Sequence, residues 1–423
     1  MKVYLDTVGC RLNQSEIERM ARQFRAAGHE IAAAPEGADL AVVNTCAVTG
    51  EAASDSRQRI RHIARLGADE VVVTGCWATL QPEQAAALPG VKRVVRNDKK
   101  DALVADLLDL PVARFDLEPL AREPLPGLHR RTRAFIKVQD GCDNACTFCV
   151  TTAARGASRS RPAAEVLADI RAALAGGAKE IVLTGVHLGS WGQDFGSHLR
   201  DLIRVILDET DIPRLRLSSL EPWDLDADFF SLWRDPRLCR HLHLPLQSGS
   251  RSVLRRMARR TTPESFRGLV AAARAVVPEA AITTDVIAGF PGETDEEFAE
   301  TLAFVREMDF AGGHVFTYSS RPGTSAARMK NHVPMEARKR RNAVLREAFD
   351  LSAQRYRARF LGHTLSVLWE TALENGPQGW RMSGLTDTYL RVAAHMAQPL
   401  WNEVSQVRLD AMTADGVIGA VVG

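Results

Sequence analysis

Three cysteines on one short segment have the spacing of metal-cluster ligands. Cys142, Cys146 and Cys149 follow a C-x3-C-x2-C pattern, which lets three thiolates hold three corners of a [4Fe–4S] cube. The fourth iron then has no protein ligand and is open to a substrate or cofactor. A structural zinc knot or buried thiols are the alternatives, but zinc sites usually take two ligand pairs, and no second pair follows. The spacing therefore favours a reactive cluster.

Three further cysteines, Cys10, Cys46 and Cys76, each end a short β-branched run. Helical stretches, residues 15–27 and 52–66, separate these runs in the β-α-β alternation of a parallel sheet. Right-handed crossovers bring the carboxyl ends of parallel strands to one edge, so these thiols can meet there and hold a second cluster. The alternative is that each thiol is an ordinary core residue.

Composition is that of a globular protein, and the small net charge means that any nucleic-acid contact must come from local patches. The 423 residues are 45% hydrophobic and 25% charged, with a net charge of +2. No apolar run approaches the ~18 residues that span a bilayer, and no apolar leader follows Met1. We therefore expect a cytoplasmic location, where thiols serve metals or catalysis more often than disulfides. Cys239, apart from both trios, is predicted to be a buried free thiol.

The element pattern predicts an α/β protein with three parts. Residues 1–115 form a parallel α/β domain, and residues 116–133, rich in proline and charge, form a linker. Six strand-like runs with intervening helices follow within residues 134–360, at 135–138, 181–184, 215–218, 241–246, 282–287 and 315–318. Six units are too few for an eight-stranded barrel and predict an open, partial (β/α)6 barrel with its site at the carboxyl ends of the strands.

The last part, residues 361–423, changes to short β-type runs. They lie at 364–369, 380–383, 389–393, 404–409 and 417–422 and predict a small antiparallel β-barrel. Such barrels often bind single-stranded nucleic acid. Two basic segments add candidate phosphate-binding surfaces: residues 330–360, and Arg251, Arg255, Arg256, Arg259 and Arg260 on one predicted helix. The alternative for each is a solvated helix face.

The cysteine loop, with aromatic Phe148 before its last cysteine, resembles the radical S-adenosylmethionine (SAM) superfamily. Cys10, Cys46 and Cys76 resemble the cysteines of its methylthiotransferase branch, which modifies a tRNA base beside the anticodon or a ribosomal-protein aspartate. Four stretches are most similar to enzymes acting on N6-threonylcarbamoyladenosine at tRNA position 37: residues 7–14, 43–49, 241–249 and 312–316. Thr152 departs from the proline of many relatives, which leaves the local loop backbone open.

The resemblance implies roles for individual residues. One [4Fe–4S] cluster, on Cys142, Cys146 and Cys149, would bind SAM and generate the 5′-deoxyadenosyl radical that takes hydrogen from adenine C2. An auxiliary [4Fe–4S] cluster, on Cys10, Cys46 and Cys76, would receive the sulfur to be transferred, and a second SAM would supply the methyl group. The residues matching positions that line SAM are Phe148, Gly185, Glu221, Asp285, Ile287 and Gly289. The C-terminal part would be a TRAM-like RNA-binding barrel.

The partners implied are the tRNA anticodon loop, an electron donor such as flavodoxin or ferredoxin, and a sulfur source, with no membrane. Arg155, Arg159 and Arg161 follow the cluster loop and are candidate substrate contacts. Two same-chemistry alternatives remain open, isopentenyladenosine 37 and the ribosomal aspartate. An alternative of a different class is a non-catalytic, zinc-containing RNA-binding protein.

Overall fold

The computed structural model of the chain describes residues 1–115, 132–377 and 379–422. The predicted linker, residues 116–133, lies almost entirely outside these ranges. The predicted α/β fold is confirmed: a parallel sheet, a partial barrel and a closed small β-barrel follow one another along the chain.

The first described range folds into a parallel sheet with helices. Its strands are β1 (Lys2–Thr7), β2 (Glu30–Ala32), β3 (Leu40–Thr45), β4 (Glu70–Gly75) and β5 (Val91–Val95). Its helices are α1 (Arg11–Ala26), α2 (Gly50–Arg65), α3 (Cys76–Leu80), α4 (Pro82–Ala86) and α5 (Leu103–Leu108). The strand order is β2-β1-β3-β4-β5, and β3, at the centre, is buried along its whole length. Its apolar β-branched run is what a strand covered on both faces requires.

The central described residues form the partial barrel. Its strands are β6 (Arg133–Lys137), β7 (Gln139–Asp140), β8 (Arg159–Ser160), β9 (Glu180–Thr184), β10 (Leu215–Leu217), β11 (His241–His243), β12 (Ala281–Ala288) and β13 (Gly312–Thr317). The parallel strands form two groups, β10-β9-β6 and β11-β12-β13. Isolated β-bridges at Leu215–Leu238 and Ser219–His243 join the two groups. The β7–β8 pair is antiparallel. The barrel is therefore open between its first and last parallel strands, β6 and β13.

Helices cover the outer face of this barrel: α7 (Ala163–Ala175), α8 (Leu199–Glu209), α10 (Pro263–Val276) and α11 (Asp295–Met308). Shorter helices lie elsewhere: α6 (Thr151–Arg155) packs against α3 of the N-terminal part, and α9 (Arg251–Arg256) packs with Phe290. Successive side chains of a strand point to opposite faces of the sheet. On the face that meets the helices they are apolar, and Leu242, Ile282 and Val286 there belong to the main core. The opposite strand face is the barrel interior, and it carries the polar residues of β11, β12 and β13.

A long helix, α12 (Met335–Ala358), leads into the C-terminal barrel. The strands there are β14 (Thr364–Gly376), β15 (Gly379–Thr386), β16 (Arg391–Met396), β17 (Val404–Met412) and β18 (Val417–Val421), closed in the order β14-β15-β16-β18-β17. The β16–β18 pair is parallel, so the barrel is not antiparallel throughout, as the sequence had suggested. Closing a five-stranded sheet required this one parallel contact between strands that are not neighbours in sequence.

A buried ion-pair group joins the C-terminal barrel to the central one. Arg216 on β10 donates to the Glu180 carboxylate (2.6 Å) and to the carbonyls of Thr386 (3.0 Å) and Asp387 (3.1 Å). Glu180 also pairs with Arg214 (2.9 Å). Burial alone would raise the pKa of Glu180, but the two guanidinium groups lower it to about 2 from its ordinary 4.5.

Glu180→Gln is expected to destabilise the protein by about 3–5 kcal/mol at neutral pH, because two buried arginines lose their anion. In the wild type, the lowered Glu180 pKa contributes stability above pH 4.5 that is lost as pH falls toward 2. The difference in the free energy of unfolding between the wild type and Glu180→Gln, measured by urea denaturation, should therefore shrink by about 3 kcal/mol as pH falls through that window. A difference that stays constant with pH would contradict this account.

Candidate active site

The first cysteine trio lies on the loop between β7 and α6, where the barrel strands end. Backbone hydrogen bonds fix this loop: the Cys142 amide donates to the Gly156 carbonyl (3.0 Å), and the Thr147 amide to the Met257 carbonyl (3.1 Å). Burial raises the pKa of the Cys149 thiol, and the nearby charge of Cys142 acts in the same direction. The thiols are therefore close enough to influence one another electrostatically.

Gln139, fully buried before the loop, holds it in place. Its side-chain nitrogen donates to the Gly141 carbonyl (2.8 Å) and to the Ser158 hydroxyl (2.8 Å), and its oxygen accepts from the His187 amide (2.8 Å). Gly185, a predicted SAM-lining residue, leaves room for this side chain, because a Cβ there would lie 2.9 Å from the Gln139 oxygen. Gly185 is thus required for packing against the loop, whatever it does toward a ligand.

Thr152, the departure from the family pattern, supports the loop rather than disturbing it. Its hydroxyl lies within hydrogen-bond distance of the carbonyls of Cys142 (3.2 Å) and Asn144 (3.4 Å). The residue sits in the first turn of α6, from which it reaches back over the cysteines. A proline could not make these contacts.

Glu221, another predicted SAM-lining residue, is paired with an arginine. Arg259 donates to both Glu221 oxygens (3.0 and 2.5 Å), lies 3.7 Å from the Cys146 sulfur and stacks over the Trp223 ring (4.4 Å). Its side chain is 2% exposed. The expectation that Arg259 belongs to an RNA-binding helix face is therefore corrected, because these contacts commit it to the cluster loop.

The other predicted SAM-lining residues lie along β12 and beside the loop. Asp285 and Ile287 are on the inner barrel face, and Gly289 follows with a positive φ of +74° against the Arg338 side chain. The Phe148 ring meets Phe290 edge-on, with centroids 6.5 Å apart. The structure thus brings the cysteine loop to the carboxyl end of β12.

Sequence analysis missed a histidine beside the same loop. His187 lies 2.5 Å from a carboxylate oxygen of Asp224 and 3.3 Å from the Asn144 side-chain nitrogen. Burial lowers the pKa of His187, but hydrogen bonds to Asp224 and Cys142 raise it to about 10. The sequence signal that could have identified His187 is its position two residues after Gly185, in the turn that follows a barrel strand.

The second cysteine trio lies at one edge of the N-terminal sheet. Cys46 and Cys76 directly follow β3 and β4, and Cys10 comes three residues after the end of β1; the three strands are neighbours in the sheet. Burial, together with the nearby charges of Cys10 and Cys76, raises the pKa of Cys46 to about 11. The convergence expected from parallel-strand topology is therefore present.

Two glycines make this convergence possible. Gly9 and Gly75 precede Cys10 and Cys76 with φ of +103° and +100°. A Cβ on Gly9 would lie 2.5 Å from the Cys46 sulfur, and one on Gly75 would collide with the Thr45 backbone. Only glycine tolerates both the backbone angle and the close approach.

Arg155, predicted to contact substrate, is instead buried between the two trios. Its guanidinium donates to Glu16 (2.9 Å), Asp140 (2.9 Å) and Asn13 (2.7 Å), and its side chain is 2% exposed. Glu16 also accepts from Lys100 (2.8 Å). The expected substrate contact is corrected to a structural one, because these partners tie α1 to the start of the cysteine loop.

The other predicted basic contacts divide into paired and exposed side chains. Arg161 pairs with Asp169 (2.8 Å), and Arg341 is buried against Glu293 (2.6 Å), whereas Arg159 is exposed. Further members of the two basic segments also have protein partners: Arg251 with Glu264, Arg256 with Glu297, Arg355 with Asp309, and Arg357 with the Thr413 carbonyl. The basic surface is therefore smaller than the charge count predicted.

Both trios fit an iron–sulfur cluster better than zinc. Each trio supplies three thiols, one short of the four ligands that a structural zinc site usually takes. Three thiolates hold three corners of a [4Fe–4S] cube and leave one iron open.

A partial (β/α)6 barrel with a three-cysteine loop at the carboxyl ends of its strands defines a radical SAM enzyme. Residues 136–305 match the radical SAM superfamily, and residues 2–96 match a family described as uncharacterized protein family UPF0004. The fold is similar to a radical SAM methyltransferase, TsrM, from Kitasatospora setae, with a TM-score of 0.59, 17% identity and 77% of each chain covered.

Curated relatives identify the family within that class. The chain is 37% identical to threonylcarbamoyladenosine tRNA methylthiotransferase MtaB of Thermotoga maritima, over 98% of this chain and 96% of the relative. It is 33% identical to tRNA-2-methylthio-N(6)-dimethylallyladenosine synthase of Bacillus licheniformis, over 89% and 77%. The chain belongs to the radical SAM methylthiotransferase family. It is an enzyme that uses SAM and [4Fe–4S] clusters.

Membrane insertion through a helix finds no support in the described ranges. None of their helices combines the length and the apolar character needed to cross a bilayer.

Proposed function

We propose that this enzyme is a tRNA methylthiotransferase that adds a methylthio group to C2 of N6-threonylcarbamoyladenosine 37. The observation that carries the proposal is the presence of two cysteine trios linked through one buried group, Arg155 with Glu16 and Asp140. Relatives from Thermotoga maritima and Bacillus subtilis, 37% and 35% identical, carry names with this nucleoside. Other relatives are named for dimethylallyladenosine, so the experiment must establish which N6 substituent the substrate adenosine carries.

The chain's residues have distinct tasks in this proposal. Cys142, Cys146 and Cys149 hold the cluster that binds SAM, and Cys10, Cys46 and Cys76 hold the auxiliary cluster. The bound cofactors supply hydrogen abstraction from an inert C–H bond and the sulfur and methyl groups. Phe148, Gly185, Glu221, Asp285, Ile287 and Gly289 shape the SAM pocket. Gln139 and Arg259 hold the first cysteine loop in position.

The substrate-handling parts follow from the same proposal. An anticodon loop has unpaired bases that can be splayed into a pocket, and the small C-terminal barrel suits single-stranded RNA. Residues 1–115, 134–360 and 361–423 would then act as auxiliary-cluster, radical SAM and TRAM-like RNA-binding domains, with 116–133 as a linker. The exposed Arg159 is the remaining tRNA contact candidate beside the loop. A flavodoxin or ferredoxin, a sulfur source and a cytoplasmic location complete the proposal.

Deletion of the gene is expected to remove the methylthio group from threonylcarbamoyladenosine in bulk tRNA, leaving the unmethylthiolated nucleoside. Mass spectrometry of tRNA nucleosides measures both species, and re-expression of the wild-type gene should restore the product. Loss of the mark from isopentenyladenosine instead would reassign the substrate. An unchanged nucleoside profile would reject the tRNA proposal and direct attention to the ribosomal aspartate.

A further inference from the structure

The barrel interior carries a histidine–aspartate–histidine cluster that neither cysteine trio uses. His243 on β11 lies 3.2 Å from Asp285 on β12, and His314 on β13 lies 3.2 Å from the other oxygen of the same carboxylate. The second nitrogen of His243 is 3.0 Å from the Thr283 hydroxyl. Asp285 therefore has one imidazole on each of its oxygens, and its negative charge is largely satisfied within the cluster.

His314 is the member of this cluster that is open to a ligand. Its side chain is 71% exposed, and its Nε2 has no hydrogen-bond partner among the described residues. The hydrogen bond to Asp285 raises the pKa of His314, which favours a positively charged ring. Phe316, two residues along β13, is 40% exposed and offers an apolar surface beside it.

A second cation, Arg11, reaches the same opening from the N-terminal sheet. Arg11 is the first residue of α1, and α1 packs beside β6, the strand that borders the open side of the barrel. His314 lies on β13, the strand at the other border of the same opening. Arg11 and His314 therefore lie at the two borders of one opening.

Arg11 is held in place from the C-terminal barrel. It donates a hydrogen bond to the Tyr389 hydroxyl (2.8 Å), and the Tyr389 ring stacks on His241 with centroids 4.0 Å apart and planes 1° apart. Tyr389 has a positive φ of +63°, unusual for a tyrosine. The remaining Arg11 donors have no partner among the described residues, so they can bind an anion.

We propose that Arg11 and His314 form an anion-binding pair that recognises the carboxylate of the N6-threonylcarbamoyl group. This inference rests on the proposed function and identifies what selects its substrate. The threonylcarbamoyl group ends in a carboxylate, whereas the dimethylallyl group is apolar and uncharged. N6 and C2 lie on either side of N1 in adenine, so a clamp on the N6 substituent also positions C2.

The test compares tRNA binding by wild type, Arg11→Gln and His314→Gln. Each is titrated with one tRNA that carries threonylcarbamoyladenosine 37 and with the same tRNA carrying unmodified adenosine. The wild type should prefer the modified tRNA, and each variant should lose about 10- to 100-fold of that preference, as expected for one charge-assisted hydrogen bond. Arg11→Lys keeps the charge and should retain most of it.

Two controls separate this inference from the rest. Arg171→Gln removes an exposed arginine that pairs with Glu209, and should bind both tRNAs as the wild type does. Iron content reports whether Arg11→Gln has disturbed the neighbouring Cys10, and His314→Gln tests the pair away from either trio.

The outcomes distinguish the inference from the function on which it rests. If the wild type methylthiolates threonylcarbamoyladenosine but both glutamine variants keep its full binding preference, the anion-binding pair is rejected. If the wild type does not methylthiolate that nucleoside at all, the proposed function fails instead. Equal loss of affinity for both tRNAs would assign Arg11 and His314 to phosphate binding and also overturn the inference.

Discussion

Cys142→Ala is expected to abolish 5′-deoxyadenosine formation and to lower the iron content from about eight to about four per chain. The variant removes one of the three thiols on the loop at the barrel edge, and no other cysteine of the chain lies on that loop. Anaerobic purification, iron analysis and chromatography of SAM cleavage products measure both effects.

Cys46→Ala is expected to lose the same amount of iron as Cys142→Ala but to keep the SAM cleavage that Cys142→Ala loses. The variant should still cleave SAM to 5′-deoxyadenosine but should insert no sulfur into tRNA, because the first trio is untouched. Cys239→Ala is the matched control. Cys239 is a buried thiol 4.0 Å from Glu180 and belongs to neither trio, so iron content and products should not change.

Two experimental outcomes would contradict the roles assigned to the two cysteine trios. If Cys142→Ala and Cys46→Ala both lose only sulfur insertion, the roles given to the two trios are wrong. Zinc without iron in the wild-type protein would contradict the cluster reading of both trios.

Arg155→Met is expected to destabilise the protein by about 3–5 kcal/mol. The substitution leaves Asp140 and Glu16 without their shared guanidinium, and an unpaired buried charge costs about this much. Because these residues join α1 to the cysteine loop, methylthiolation should fall even under conditions where the variant remains folded. Chemical denaturation and product analysis measure the two effects.

The comparison variant is Arg171→Met, which breaks an exposed ion pair at 2.9 Å. It should change stability by no more than about 0.5 kcal/mol. Arg155→Lys should lie between wild type and Arg155→Met, because an ammonium keeps the charge but cannot reproduce the planar fork. A wild-type stability for Arg155→Met would show that the buried network is not what holds α1 to the loop.

The sequence predicted the elements that carry the cysteines better than the charged residues around them. Both trios follow local rules: Cys142, Cys146 and Cys149 lie within one loop, and the other three end neighbouring parallel strands. The barrel strands were found because buried parallel strands are continuous apolar runs. The single parallel contact between β16 and β18 was missed, because pairing between distant strands leaves no local pattern.

By itself, the sequence determined the type and number of the candidate cluster ligands, because thiol spacing on a loop or strand end is set locally. Only the tertiary structure decided which arginines are available to a ligand. Arg155, Arg259 and Arg341 are indistinguishable from surface arginines in sequence, yet each is buried against carboxylates supplied by distant elements. Likewise, His243, Asp285 and His314 became one cluster only through the register of three strands. The residue type sets the charge of a side chain, whereas the tertiary structure sets which groups that side chain contacts.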